Sequence, residues 1–170
     1  IIDIGTGTGV IAIALADNLP NSIITAIDVL PEAIRIAREN AKINQVLERI
    51  NFIQADFYNS NLELGDYEIV VANPPYIKTD DLVKLPAEVY QYEPTIALDG
   101  GYDGLNFYRI LLEFCNSHLS PQGWLGLEID EYLKSNLLKL IQETQIFSEI
   151  IIEKDYAEQN RILLAQRVKK

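Results

Sequence analysis

Short apolar runs alternate with helical patterns along the chain, and the first exchange passes through a turn with three glycines in five residues, Gly5-Thr6-Gly7-Thr8-Gly9. This alternation predicts a layered α/β fold built on a mostly parallel sheet with helices on both faces. Ile1-Ile2-Asp3-Ile4 ends a first strand, and Val10 to Asp17 reads as a helix. Ile23 to Asp28 reads as the second strand. Pro31 suits a first helical turn, and the helix it opens carries Ala33, Ala37 and Ala41 at four-residue spacing, which allows close packing on a sheet. Ile50 to Gln54 and Tyr67 to Ala72 read as strands three and four. Leu105 to Leu119 reads as a helix, Ser120-Pro121-Gln122-Gly123 as a turn, Trp124 to Ile129 as a fifth strand and Tyr132 to Glu143 as a helix. Phe147 to Glu153 and Arg161 to Gln166 read as a closing antiparallel pair. Between strands four and five, Ile77 to Gly104 is too long for a simple connection, and loops of that length are usually lids or binding segments.

Composition bounds what such a fold can do. At 170 residues, 48% of them hydrophobic, the chain suffices for one domain with a sizeable core and needs no second. Apolar stretches such as Val10 to Ala16 fall well short of the ~20 residues of a bilayer span, and no basic start precedes an apolar run as in a signal peptide. A soluble, cytoplasmic protein is expected, with a monomer as its expected state. The single cysteine, Cys115, cannot form an intrachain disulfide, and its apolar setting reads as helix core. A net charge of −11 opposes association with a phosphate backbone, and Arg167-Val168-Lys169-Lys170 is the one basic patch. The chain opens at Ile1, inside a strand pattern, and holds no methionine, so a fragment or trimmed catalytic domain is expected.

The glycine turn places backbone N–H groups at a helix N-terminus and lets a ligand approach the main chain closely. A tight strand-to-helix turn can be glycine-rich for structural reasons alone. Asp28 sharpens the reading, because an acidic residue ending the second strand some twenty residues on can accept from ribose hydroxyls. Asp56 and Phe57 follow strand three, where the carboxylate can accept from an adenine amino group and the ring can stack on the base. Gly-x-Gly-x-Gly is not the Gly-x-Gly-x-x-Gly of dinucleotide sites, so these residues favour an adenosine-containing cofactor other than a dinucleotide.

Strand four runs into Asn73-Pro74-Pro75-Tyr76, which suggests methyl transfer to a planar nitrogen. An amide lone pair is conjugated with its carbonyl, strongly enough to give a peptide bond a rotation barrier of roughly 18–20 kcal/mol, so an amide NH2 is a poor nucleophile. The Asn73 side-chain carbonyl and the Pro74 backbone carbonyl can accept both of its N–H bonds and turn the lone pair toward an electrophilic methyl. The prolines stiffen the loop, and Tyr76 can stack on the flat face of the substrate. No metal or covalent nucleophile is required.

Asp3-Ile4-Gly5-Thr6-Gly7-Thr8-Gly9 resembles motif I of class I methyltransferases that bind S-adenosylmethionine. With Asn73-Pro74-Pro75-Tyr76 after strand four, the pattern resembles the branch acting on amide or exocyclic amino nitrogens. Tyr92-Glu93-Pro94, Ala97-Leu98-Asp99-Gly100-Gly101-Tyr102-Asp103-Gly104-Leu105 and Tyr108-Arg109 narrow the likeness to the HemK/PrmC family, which methylates N5 of a glutamine in the Gly-Gly-Gln loop of peptide-chain release factors. The likeness runs from Asp3 to about Gln166, with Leu127-Glu128-Ile129 and Asn160-Arg161 fitting the later strands. Asp130, and Ala157-Glu158-Gln159, stand where the family usually has glycine.

The resemblance implies a Rossmann-like, mostly parallel seven-stranded sheet with an antiparallel C-terminal strand. It implies S-adenosylmethionine as cofactor, held by Asp3, Gly5, Thr6, Gly7, Thr8, Gly9, Asp28, Asp56, Phe57 and Asn73. It implies a release factor as protein partner, its glutamine held by Asn73, Pro74, Pro75 and Tyr76. It also implies an N-terminal substrate-recognition domain that residues 1–170 do not include. Ribosomal-protein glutamine enzymes and nucleic-acid amino-methyltransferases share Asn-Pro-Pro-Tyr or close variants, and the acidity disfavours the latter. A non-catalytic domain retaining the fold is a further alternative, while a dehydrogenase would leave Asn73 to Tyr76 without a role. His118 reads as a capping or surface residue, Glu128 equally as cleft-lining or structural, and Asp80-Asp81 as a solvated loop.

Overall fold

The computed structural model describes residues 1–58, 62 and 64–169, so Lys170 of the basic patch lies outside them. Its seven strands are β1 (Ile2–Ile4), β2 (Ile24–Asp28), β3 (Ile50–Gln54), β4 (Tyr67–Ala72), β5 (Leu119–Glu128), β6 (Phe147–Lys154) and β7 (Asn160–Arg167). They form one sheet in the order β3-β2-β1-β4-β5-β7-β6. The first five strands are parallel, and β7 runs antiparallel to both β5 and β6, as expected. The order reverses at β1, which pairs with β2 on one side and β4 on the other. A reversal of this kind opens a crevice at the carboxyl ends of the strands.

Side-chain alternation splits the core into two layers. On one face Ile24, Ala26, Ile50 and Phe52 pack with helices α1 (Val10–Asn18) and α2 (Pro31–Ile43), whose Ala12, Ala16, Ala37 and Ala41 are fully buried. On the other, Ile2, Ile4, Ile27, Val70, Leu125 and Leu127 meet the apolar faces of two later helices. Of the alanines at four-residue spacing, Ala37 and Ala41 are buried in this layer, while Ala33 is half-buried and borders the cavity at the crevice, with Pro31 in the helix's first turn. Helix ends are closed by distant arginines: Arg49 donates to the carbonyl of Ala16, near the C-terminus of α1.

Ile77 to Gly104 is not structureless. It holds a 3-10 turn at Thr79–Lys84 and short helices α3 (Ala87–Tyr92) and α4 (Thr95–Leu98), before α5 (Asn106–His118). Ser120 to Gly123, expected as a turn, lies within β5 as an excursion: Tyr67 pairs with Leu119 and Ile69 with Trp124, so the intervening residues bulge. Gln122 sits there at φ 64°. Helix α6 (Lys134–Thr144) begins two residues later than expected, because Asp130 Oδ1 accepts from Tyr132 N and holds Tyr132 in the preceding turn. Arg167 reaches back to donate to the carbonyls of Cys115, Asn116 and Leu119, closing the end of α5. No helix among the described residues is long and apolar enough to cross a membrane.

Candidate active site

Four strand ends, the first turns of α2, Phe107 of α5 and the segment between β4 and α5 line a cavity of about 480 Å³ at the crevice. Gly5, Gly7 and Thr8 come from the turn after β1, Asp28 and Leu30 from the end of β2, Asp56 and Phe57 from the end of β3, and Asn73 and Pro75 from the end of β4. Tyr92, Pro94, Ile96 and Ala97 cover it from the segment between β4 and α5.

Asp3 organises the turn from beneath. It is fully buried; its Oδ2 accepts from Thr6 Oγ1 at 2.6 Å and from the Ala12 amide at 3.1 Å. The carboxylate thereby serves an otherwise orphaned N–H in the first turn of α1. Burial pushes the Asp3 carboxyl up to about 6, with the bonds from Thr6 and Ala12 opposing. Its Oδ1 has no hydrogen-bond partner. Gly5 and Gly7 stand at φ +73° and +56°, and a Cβ on either would enter open space. Gly9, at φ +85°, has a packing role: a Cβ there would lie 3.0 Å from Ala37 Cβ, so it lets α1 and α2 approach. Of the motif residues, Gly5, Gly7 and Thr8 therefore face the cavity, while Asp3, Thr6 and Gly9 shape the turn behind it.

Asp28 is oriented by backbone donors, Gly7 N to Oδ2 at 2.8 Å and Leu30 N to Oδ1 at 2.9 Å. A carboxylate has about four lone-pair sites, so each oxygen can still accept one hydroxyl. Asp56 Oδ1 accepts from Tyr58 N. Phe57 borders the cavity while its ring stacks on Phe107 at 5.8 Å and meets Phe114 edge-on at 5.3 Å. Phe107 itself lines the cavity; only its place on a helix far downstream kept it from notice in the sequence.

The Asn73-Pro74-Pro75-Tyr76 loop divides its residues between two sides. Asn73 is exposed and Pro74 buried; Asn73 and Pro75 border the cavity, whereas Pro74 and Tyr76 do not. Tyr76 is clamped along its backbone. A Cβ on Gly100 would lie 2.8 Å from Tyr76 Cα, and one on Gly104 2.6 Å from the Tyr76 carbonyl oxygen. That oxygen accepts from Tyr132 Oη at 3.0 Å, and Ile77 exchanges backbone bonds with Leu98 and Gly100. The glycines of Asp99 to Gly104 thus have a physical role in seating this loop. Burial raises the Tyr76 phenol above its ordinary value, with Glu128 raising it further and Arg161 opposing. Among the described residues no cluster of three or more His, Cys, Asp or Glu side chains is placed to hold a metal ion. His118 lies at the end of α5, stacked on Phe114.

Residues 1–88 match the family described as Methyltransferase small domain. The chain is 36% identical over 167 residues to the release factor glutamine methyltransferase of Fusobacterium nucleatum, covering 98% of this chain and 47% of that protein. It is 40% identical over 167 residues to the protein of the same name from Moorella thermoacetica, covering 98% and 58%. The chain thus spans about half the length of the curated relatives it matches. Among solved structures, a methyltransferase from Pyrococcus furiosus superposes with a TM-score of 0.67 at 21% identity, over 98% of this chain and 74% of that one. The ribosomal protein L11 methylase of Lactobacillus delbrueckii subsp. bulgaricus superposes with 0.66 at 22%, over 99% and 69%. These likenesses establish the class I methyltransferase fold. With the glycine turn and the loop after β4 meeting at one crevice, and more than half of its residues matched, the chain belongs to the Methyltransferase small domain family.

Proposed function

We propose that this chain is the catalytic domain of an S-adenosylmethionine-dependent enzyme that methylates N5 of a glutamine side chain in a peptide-chain release factor. The observation that carries this reading is that Asn73 borders the same cavity as Gly5, Gly7 and Asp28. An amide-binding carbonyl and a nucleoside cradle therefore share one enclosure. The names of the relatives support the substrate assignment.

The residues fit the cofactor. Open space over Gly5 and Gly7 suits a charged amino-acid moiety that approaches the main chain closely. The carboxylate of Asp28, with acceptor sites to spare, suits ribose hydroxyls, and the apolar wall of Ile27, Ala55, Phe57 and Phe107 suits a base. When bound, S-adenosylmethionine supplies an electrophilic methyl on a sulfonium that already carries the leaving-group charge.

Asn73 and the Pro74 carbonyl accept the two N–H bonds of the glutamine amide and turn its lone pair toward the cavity. As nitrogen gains positive charge, these fixed dipoles stabilise it without reorganising. The Tyr76 ring lies along the amide plane and limits its rotation, so that positioning supplies much of the rate. The test is mass spectrometry of a release factor incubated with S-adenosylmethionine and the complete protein. One added methyl on the Gly-Gly-Gln glutamine is expected, with turnover lowered roughly 10²–10³-fold in Asn73→Ala, the cost of deleting one preorganised polar partner. Near-normal turnover by Asn73→Ala would sink the mechanism. No methylation despite cofactor binding would refute the substrate assignment and direct the search to ribosomal proteins.

A further inference from the structure

The segment from Ile77 to Gly104 is fastened at both ends, but its helices α3 and α4 add nothing to the core. Ile77 N donates to the Leu98 carbonyl at 3.0 Å, Gly100 N to the Ile77 carbonyl at 2.7 Å and Thr79 N to the Gly101 carbonyl at 3.1 Å, while Thr79 Oγ1 donates to Asp99 Oδ1 at 2.7 Å. Between these ties α3 and α4 bury no residue. Tyr90 and Ile96 are exposed, and Tyr92 and Tyr102 are 80% and 88% exposed. With Val83, five of the thirteen large apolar side chains exposed among the described residues fall in this one segment, and grouped exposure of that kind marks an interaction site. Their placement fixes which site it serves. Tyr92 and Ile96 border the cavity, and Tyr102 stands between Gly100 and Gly104, the glycines that pack on Tyr76. Tyr132, half-exposed, joins them by donating its hydroxyl to the Tyr76 carbonyl.

Charge says what the surface takes. Residues 78–104 hold six acidic side chains against Lys78 and Lys84, more than twice the density of negative charge of the whole chain. Both cations are taken up internally: Lys84 Nζ pairs with Asp81 at 2.5 Å, and Lys78 Nζ lies 5.8 Å from the centre of the Tyr132 ring. We propose that this segment is the docking surface for the polypeptide that carries the target glutamine, and that it takes a cationic stretch of that polypeptide, with lysine or arginine close to the glutamine. The exposed tyrosines offer large apolar area and ring faces on which a guanidinium or ammonium stacks. The carboxylates around them steer such a charge inward and repel a phosphate backbone. Asn73 and the Pro74 carbonyl read only the amide, so the sequence around the glutamine is selected outside the cavity, on α3, α4 and the turn that follows.

This inference rests on the proposed function, and the experiment separates the two. Methylation of a release factor by the complete protein is followed at about 50 and about 300 mM NaCl for wild type, Asp80→Asn with Glu88→Gln, Glu88→Lys, and Tyr90→Ser with Tyr102→Ser. Thermal unfolding and binding of S-adenosylhomocysteine are measured alongside. Neutralising Asp80 and Glu88 raises KM about fivefold at the lower salt and leaves kcat unchanged, because two exposed charges contribute modestly and act on binding alone. Glu88→Lys, an equal change in charge, does the same. Wild-type KM rises about fivefold between the two salt concentrations, and the neutralised variant loses most of that rise. The paired tyrosine variant raises KM about tenfold at both. Affinity for S-adenosylhomocysteine stays within about twofold throughout, since none of the four residues borders the cavity. A KM that salt and both charge changes leave in place overturns the inference alone. A KM that falls when negative charge is removed does so too, and points to an anionic partner such as a nucleic acid. A wild type that binds S-adenosylhomocysteine but transfers no methyl group overturns the proposed function and the inference with it. If the tyrosine variant does not fold, the two charge variants decide.

Discussion

Replacing Gly104 by alanine would test whether the glycines after the Asn-Pro-Pro-Tyr loop act by seating it. Gly104 stands at φ +80°, and an added Cβ would lie 2.6 Å from the Tyr76 carbonyl oxygen and 3.2 Å from both methyls of Leu133. A left-handed backbone costs an L-residue about 1–2 kcal/mol. Overpacking adds about 1–3 kcal/mol, and the stiffer unfolded chain returns about 0.4–1 kcal/mol. The net loss is about 3 kcal/mol, which for a domain of this size lowers Tm by roughly 6–12 °C. The nearest atom belongs to Tyr76, so relieving the clash also displaces the loop, and a misplacement of about 1 Å can cost on the order of 10²-fold in rate. Gly65→Ala is the control, since its Cβ would meet nothing within 4 Å and its backbone is not left-handed. Thermal unfolding and turnover are measured on both variants. Gly104→Ala with an unchanged Tm and full turnover would refute this account of the glycines.

Two further outcomes follow from burial. Asp3 titrates near 6 when folded against 3.8 for the free side chain, so between these values the folded state binds the extra proton and wild-type stability falls as pH rises. At about 1.36 kcal/mol per pH unit the penalty reaches about 3 kcal/mol above pH 6; urea unfolding of wild type and Asp3→Asn across pH 4–7 should show the variant gaining by that order, and a pH-independent difference would count against it. Burial pushes the Cys115 thiol up to about 12, with Arg167 opposing. A thiol reagent at pH 8 should therefore leave the native protein unlabelled and react fully only in denaturant, whereas rapid native labelling would contradict the packing of α5.

Much of the fold was legible because local signals agreed with the tertiary result. The apolar runs from Ile24 to Asp28 and Tyr67 to Ala72 became strands, and Pro31 opened its helix. The boundaries that moved did so for long-range reasons. Ser120-Pro121-Gln122-Gly123 has turn chemistry and does leave the ladder, but β4 resumes pairing at Trp124, which no local pattern reveals. The segment from Ile77 to Gly104 looked polar and irregular because α3 and α4, of six and four residues, hold no buried residue and are too short for a helical period to register. At the site, Gly5, Gly7, Asp28 and Asn73 could be read from motif spacing. The division of labour within Gly5 to Gly9 could not, since it depends on Ala37 lying against Gly9. Phe107 reaches the cavity only through the packing of α5 against Phe57, which no motif spacing announces. Glu158 carries the reverse lesson: it holds φ 60°, the left-handed conformation that explains a glycine in that stretch of the family.

Last in sequence among the strands, β7 is nonetheless an inner strand, inserted between β5 and β6. Made vectorially from its amino end, the chain can assemble β3-β2-β1-β4-β5 and the crevice at their carboxyl ends while residues 160–167 are still being added. Until they emerge, β5 presents a free edge, β6 has no neighbour to dock on, and the carbonyls ending α5 lack Arg167. Long-range pairings of this kind form late and leave an open template in the interval. A nascent or prematurely terminated chain would therefore form the crevice at the strand ends before it acquires a sealed sheet, and chaperone engagement should concentrate on that window of synthesis.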